Sequence, residues 1–200
     1  MISIPNTSPS KKAFKIGRNR KSFTQRTDFR GYFARGSAFA AKRQIANAEA
    51  ERQILATARK ETPADVEFSF YFNKAQSFLD LAENILDARI AAAKRDHTQA
   101  ISYWGKAVEV QDKLYYGEPP EWFYPVRESL GGALLLSGQP ERAEAVFRAD
   151  LEQYPRNPRS LFGLLNALEA QKKHDAAEEV RREFEAAWKN ADTTLTLKDL

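Results

Sequence analysis

The 200-residue sequence predicts an all-α protein made of paired helices joined by short turns. Three observations carry this expectation. Long stretches contain no Pro and are dominated by Ala, Glu, Arg, Gln and Leu, all good helix formers. No segment shows the strict apolar–polar alternation of a surface strand. Gly and Pro are instead concentrated where helices would have to stop.

Composition bounds the function classes. Hydrophobic residues make up 42% of the chain and charged residues 29%, as in an ordinary folded domain. With no Cys, disulfides and thiolate metal sites are excluded, and a reducing, cytoplasmic setting is expected. No apolar run approaches the roughly 20 residues that span a bilayer. The net charge of +4 is unevenly distributed. Residues 1–30 carry +7, and the other 170 residues carry 23 basic and 26 acidic side chains. The body therefore lacks the basic surface of a nucleic-acid binder.

Residues 1–28 are rich in Ser, Thr, Asn, Lys and Arg, lack apolar periodicity, and read as a disordered basic tail. They contain no apolar core of a secretory signal. Their composition has some likeness to an organelle transit peptide, but a solvated tail is the preferred reading. Residues 29–62 follow as the first helical stretch. ETPADVEFSFYFN (61–73) interrupts it with Pro63 and β-branched or aromatic residues. Helical patterns resume at about 74–94 and 97–113. YYGEPPEWFYP (115–125) is the second break, and four more helical patterns occupy about 125–137, 140–153, 158–171 and 174–190. Residues 191–200 read as a frayed end or a short packed tail.

The most regular stretch is 124–157. It carries Leu130-Gly131, then Gly138, Ala143, Phe147 and Pro155. Each has a physical reason. Gly131 and Ala143 let two helices cross closely. Gly138 supplies a left-handed residue after the first helix. Phe147 fills the gap towards the next helix pair, and Pro155 ends the second helix. This pattern resembles the tetratricopeptide-repeat (TPR) consensus. Unit 158–190 follows at a spacing of 34 residues, with Ala167 matching Ala133 and Ala177 in the small slot of its second helix. It departs at Leu165, Lys172 and Arg181, as a terminal capping repeat would. Units 29–62 (Gly36, Ala48) and 81–114 (Ala88, Ala100, Trp104) fit upstream. The stretch YGEPPEWFYPVRESLGGALL also looks like the C-terminal part of longer bacterial TPR proteins.

The resemblance implies a right-handed α-solenoid of about four TPR units over residues 29–190, acting as a non-catalytic scaffold without cofactors. Its partner would be a protein or peptide segment lying in a groove lined by the first helix of each unit. The groove slots would be Arg30, Phe33 and Ser37; Ile85 and Arg89; Glu128 and Gly132; and Arg159, Phe162, Asn166 and Glu169. A carboxylate clamp needs a Lys and an Asn where this chain has Phe33 and Ser37, which argues against an acidic-tail ligand.

Other chemistry is weaker. His97 and His174 occupy the same slot of their units, in the turn between the paired helices, and two ligands fall short of a zinc site. No nucleophile elbow, phosphate loop or dinucleotide fingerprint occurs. Glu118 and Glu121 beside Trp122, Tyr124 and Arg127 suggest a carboxylate pair with an aromatic wall. The preferred reading is an inserted loop (115–123) pinned by Trp122 with Pro119 and Pro120, ligand contact being the second. Trp104, Trp122 and Trp188 are expected to be structural. The alternative function is electrostatic binding of nucleic acid or an anionic membrane surface through residues 11–30.

Overall fold

The computed structural model describes residues 29–68 and 73–200. The basic tail, residues 1–28, lies outside them. Eight α-helices occur among the described residues: α1 Phe29–Ala41, α2 Ile45–Glu61, α3 Ala75–Ala93, α4 His97–Gln111, α5 Val126–Leu136, α6 Pro140–Gln153, α7 Pro158–Ala170 and α8 His174–Trp188. A 3₁₀ turn, Leu197–Asp199, follows. The one extended pairing among these residues is an isolated bridge between Glu67 and Lys74. Each helix packs on the next in chain order. Both breaks and all seven helical stretches read from the sequence fall where the helices stop and run, the first stretch (29–62) holding both α1 and α2.

Four tight turns join α1–α2, α3–α4, α5–α6 and α7–α8, and all four are built alike. Each has one residue in the left-handed region: Arg43 (φ 56°), Arg95 (φ 67°), Gly138 (φ 74°) and Lys172 (φ 60°). In each turn the amide of the following residue donates to the carbonyl five residues back. The pairs are Gln44 to Phe39, Asp96 to Ala91, Gln139 to Leu134 and Lys173 to Leu168, at 2.8–3.0 Å. These bonds satisfy carbonyls that the helix end would leave unpaired. Gly138 takes this geometry freely, whereas Arg43, Arg95 and Lys172 take it against their Cβ. Arg95→Gly and Lys172→Gly are therefore each expected to stabilise the chain by about 0.5–1 kcal/mol in urea unfolding, and Gly138→Ala to cost about 1 kcal/mol. Equal midpoints for the three variants and the parent would refute this.

The second helix of each pair begins without strong side-chain caps except at α4, where Asp96 accepts from the Gln99 amide at 3.0 Å. α6 and α7 start with Pro140 and Pro158 at their first turn, where a missing N–H costs nothing. α6 ends one residue before Tyr154, whose backbone (φ −124°, ψ 72°) has left the helical region that the following Pro155 disfavours.

Two apolar clusters form the core. One gathers α1–α4 around Phe78, Leu79, Leu81, Ile85 and Leu86, with Trp104, Trp122 and Val126. The other gathers α5–α8 around Phe147, Leu134, Leu164 and Leu168. Leu130 and Ala133 touch both, so the stack is continuous. Ala48, Ala100, Ala143 and Ala177 are all buried, as are Gly36, Ala88 and Gly131. At Gly36 an added Cβ would lie 2.7 Å from Leu86 Cδ2. The Phe147 ring is fully buried and lies against both Gly131 and Gly163; a methyl at either position would collide with its Cζ. Gly163, on α7, was not singled out from the sequence. The small partner of Phe147 in the last pair stands there, two residues before the Leu165 that unit alignment assigned to the slot.

Odd-numbered helices also touch across pairs, α1 with α3 and α5 with α7, and no even-numbered pair makes a comparable contact. The odd helices thus form the closer-packed layer. Ion pairs also tie one hairpin to the next, from an even helix to an odd one. Arg52 on α2 reaches Asp87 at 2.8 Å and Glu83 at 2.9 Å on α3.

Candidate functional site

The layer of odd-numbered helices is where the sequence-derived groove residues fall, and two irregular segments of the chain lie on it. The first is the break before α5. Its Trp122 is buried and meets the Phe33 ring edge-on at 5.4 Å. Arg89 on α3 lies over Phe33 at 5.3 Å and donates to the Tyr124 hydroxyl at 3.4 Å. Phe123, exposed, lies against the Tyr124 ring at 4.8 Å with the two planes tilted by 57°. The loop reading of Trp122 is thus supported by its position: the indole fills the space above α1, and its N–H has no partner among the described residues.

Two amides clamp this loop. Asn73, buried, donates through Nδ2 to Tyr115 O (3.0 Å) and Glu121 Oε2 (2.7 Å), and its Oδ1 accepts from the Tyr115 amide (2.8 Å). Gln111 donates to Tyr124 O at 3.0 Å and accepts from the Val126 amide at 2.8 Å. The two breaks are therefore joined to each other, a link that no local pattern announces. Glu121 serves Asn73, while Glu118 accepts from the Tyr116 hydroxyl at 2.7 Å. The two carboxylates are drawn into separate local bonds. Arg127 pairs with Asp112 at 2.6 Å and with Gln153 at 3.3 Å, tying α5 to α4 and α6. An open cleft of about 300 Å³ lies between this loop and the α6–α7 turn, lined by Trp122, Tyr124, Glu128, Tyr154 and Asn157.

The second segment is the chain after α8. Trp188 stacks on Phe184 at 6.1 Å, and its indole N–H donates to Thr193 O at 2.8 Å. The chain then crosses to α5 and α7. Ser129 Oγ donates to the Leu200 main-chain oxygen at 2.9 Å, and Arg159 donates to the Asp199 main-chain oxygen. Asp199 and Leu200 thus rest on α7 and α5, while most of residues 191–198 are exposed, so the tail is packed only at its last residues.

The remaining groove candidates divide. Arg30 is exposed and lies over Phe68 at 5.4 Å. Ser37 places a buried Oγ on the same helix without a partner among the described residues. Ile85 is fully buried and belongs to the core, because α1 and α3 approach closely enough to cover it. Phe33 is likewise covered, by Trp122. Phe162 packs on Phe184 of α8 at 5.6 Å, Asn166 donates to Phe162 O in its own helix, and Glu169 pairs with Arg181. Arg181, standing where the consensus has an aromatic residue, gives the last helix a polar outer face. His97 and His174 are the first residues of α4 and α8 and are exposed. Among the described residues no three His, Asp or Glu side chains cluster as a metal site would require.

Beneath the tail lies a buried polar network. Glu128 is only 3% exposed and accepts from Arg159 Nε at 2.5 Å and Asn157 Nδ2 at 2.8 Å. Asp150 is fully buried and accepts from Ser160 Oγ at 2.5 Å and Asn157 Nδ2 at 3.1 Å. Asn157 also caps α7 by accepting from the Arg159 amide at 3.1 Å. Burial pushes the Asp150 carboxyl above its ordinary range; the Ser160 bond opposes this and the Glu128 charge adds to it. A raised native value means that the folded chain keeps a proton the unfolded chain has released. Stability then falls as pH rises from the ordinary carboxylate range through the raised value. Asp150→Asn cannot titrate, so wild type should lose stability relative to it as pH rises above the ordinary carboxylate range. A flat difference between the two urea-unfolding series would refute this.

No helix among the described residues is long and apolar enough to cross a membrane. No protein-family model matches the chain. No curated protein is significantly similar to it.

Proposed function

We propose that this chain is a TPR-type scaffold: a right-handed solenoid of four helical hairpins that binds a segment of another protein on its odd-helix layer, without catalysis of its own. The observation that carries the reading is that this layer already accepts irregular polypeptide. The Trp122–Tyr124 loop lies on α1 and α3, and the Asp199–Leu200 segment lies on α5 and α7. The chemistry is that of peptide recognition: aromatic seats for side chains, and Ser and Arg donors for main-chain oxygens. Four identical turns and four buried alanines at matching positions support the repeat count. Phe33 and Ser37 stand where a carboxylate clamp would need its Lys and Asn, which argues against an acidic-tail ligand.

The test is capture of partners with Arg30→Glu and Arg89→Glu, two positions on this layer outside the fully buried core, checked for folding by circular dichroism. The expected result is at least a tenfold loss of binding that persists at high salt. Binding unchanged by both substitutions would overturn the reading. Binding that disappears with residues 1–28 and with added salt would instead establish the electrostatic function of the basic tail.

A further inference from the structure

We infer that residues 196–200 are a tethered occupant of a peptide seat on α5 and α7, which a partner segment of similar chemistry, a short capped turn followed by an aliphatic residue, has to displace. The inference rests on the proposed peptide-binding role of this layer and specifies where and what it binds.

Gly132 is the starting point. Glycine in a helix interior costs about 1 kcal/mol relative to alanine, and α5 carries two in succession. Gly131 is accounted for by the Phe147 ring. The nearest atoms to a Cβ at Gly132 all belong to Leu200: its Cβ at 2.8 Å, its carbonyl carbon at 3.4 Å and its Cα at 3.6 Å. Among the described residues the only neighbour that needs position 132 bare is thus the tail. One turn earlier on the same face, the largely buried Ser129 donates to the Leu200 main-chain oxygen, and Arg159 across on α7 donates to that of Asp199. The seat therefore consists of a bare backbone patch with a donor on each side. It reads one aliphatic side chain and two main-chain oxygens.

The occupant is shaped for this. Asp199 Oδ2 accepts from both the Thr196 amide and the Thr196 hydroxyl at 2.7 Å, closing a one-turn capping box. That turn holds the Asp199 and Leu200 oxygens towards α7 and α5. Leu200 itself is only half-buried, so the contact is small. A contact of this size is held chiefly by its tether, since a short linker supplies an effective concentration in the millimolar range. A free segment then competes against that concentration.

The experiment uses the full chain and a fluorescent synthetic peptide of residues 191–200. The paired substitution Thr196→Ala with Leu200→Asp releases the resident tail and leaves the helices untouched. Peptide anisotropy should show at least tenfold tighter binding to this variant than to wild type. Gly132→Leu fills the seat without removing any core contact. It should abolish peptide binding in the released background, and in the otherwise wild-type chain it should speed amide exchange of residues 196–200. Equal peptide binding to wild type and released chain would overturn the inference, as would binding that survives Gly132→Leu. The scaffold reading is judged separately by Arg30→Glu and Arg89→Glu, so either conclusion can fail while the other stands.

Discussion

Replacing Phe147 with alanine should cost about 3–5 kcal/mol, the largest loss expected from any single side chain here. The ring is fully buried and is gripped by two glycines from different helices, Gly131 on α5 and Gly163 on α7. It therefore joins its own hairpin to the next one, and its removal leaves a cavity that neither glycine can refill. The same geometry makes the two glycines intolerant of growth. Gly163→Ala forces a methyl into the ring, and overpacking of this kind costs about 1–3 kcal/mol. The sharper expectation is their coupling. In a Phe147→Ala background, Gly163→Ala should become neutral or stabilising, because the collision is gone and alanine is the better helix former. Urea unfolding of the four chains in this cycle measures the coupling directly. Additive costs would show that the ring and the glycine do not share the space assigned to them.

Trp122→Ala should cost about 3 kcal/mol and, unlike the Phe147 substitution, act on one half of the molecule. Trp122 is the main apolar link between the loop before α5 and the layer beneath, through Phe33. Without it, Phe33 loses its cover. Amide exchange should therefore accelerate in the loop and in α1, while α7 and α8 keep their protection. Because the indole N–H has no partner among the described residues, Trp122→Phe forfeits only area and should stay within about 1.5 kcal/mol of wild type. A phenylalanine variant as damaged as the alanine one would mean that the indole N–H matters in a way the geometry does not provide. Exchange that accelerates uniformly would mean that the two halves unfold as one.

How much of this was legible in advance varies with the range of the interaction. Helix positions were readable because Pro63, the Gly117–Pro120 cluster and Pro155 act on their own backbone. Burial of Ala48, Ala100, Ala143 and Ala177 was readable because a small residue recurring at helical spacing has few other uses. The left-handed turn at Gly138 was readable from glycine itself; the same turn at Lys172 was visible only as a departure from pattern, and at Arg43 and Arg95 it was not singled out at all. There the stacked helices impose the geometry on residues that do not favour it. Asn73 was invisible, since its partners Tyr115 and Glu121 lie more than forty residues away. The candidate groove was half legible. Its residues do lie on the odd helices, but Ile85 and Phe33 are covered, and a list of slots cannot say what covers them.

The sequence by itself determined the class of structure: helices of these lengths, paired by tight turns, with small residues where they cross. Those features depend on residues within one or two helical turns of each other, where side-chain shape and backbone preference act directly. Only the tertiary structure decided the state of the odd-helix face. Whether Trp122 roofs Phe33 and whether Leu200 rests on Gly132 depend on where a loop and a tail travel after leaving their helices. That path is chosen by contacts between residues far apart in the chain, 71 positions in the case of Ser129 and Leu200, which no local spacing encodes.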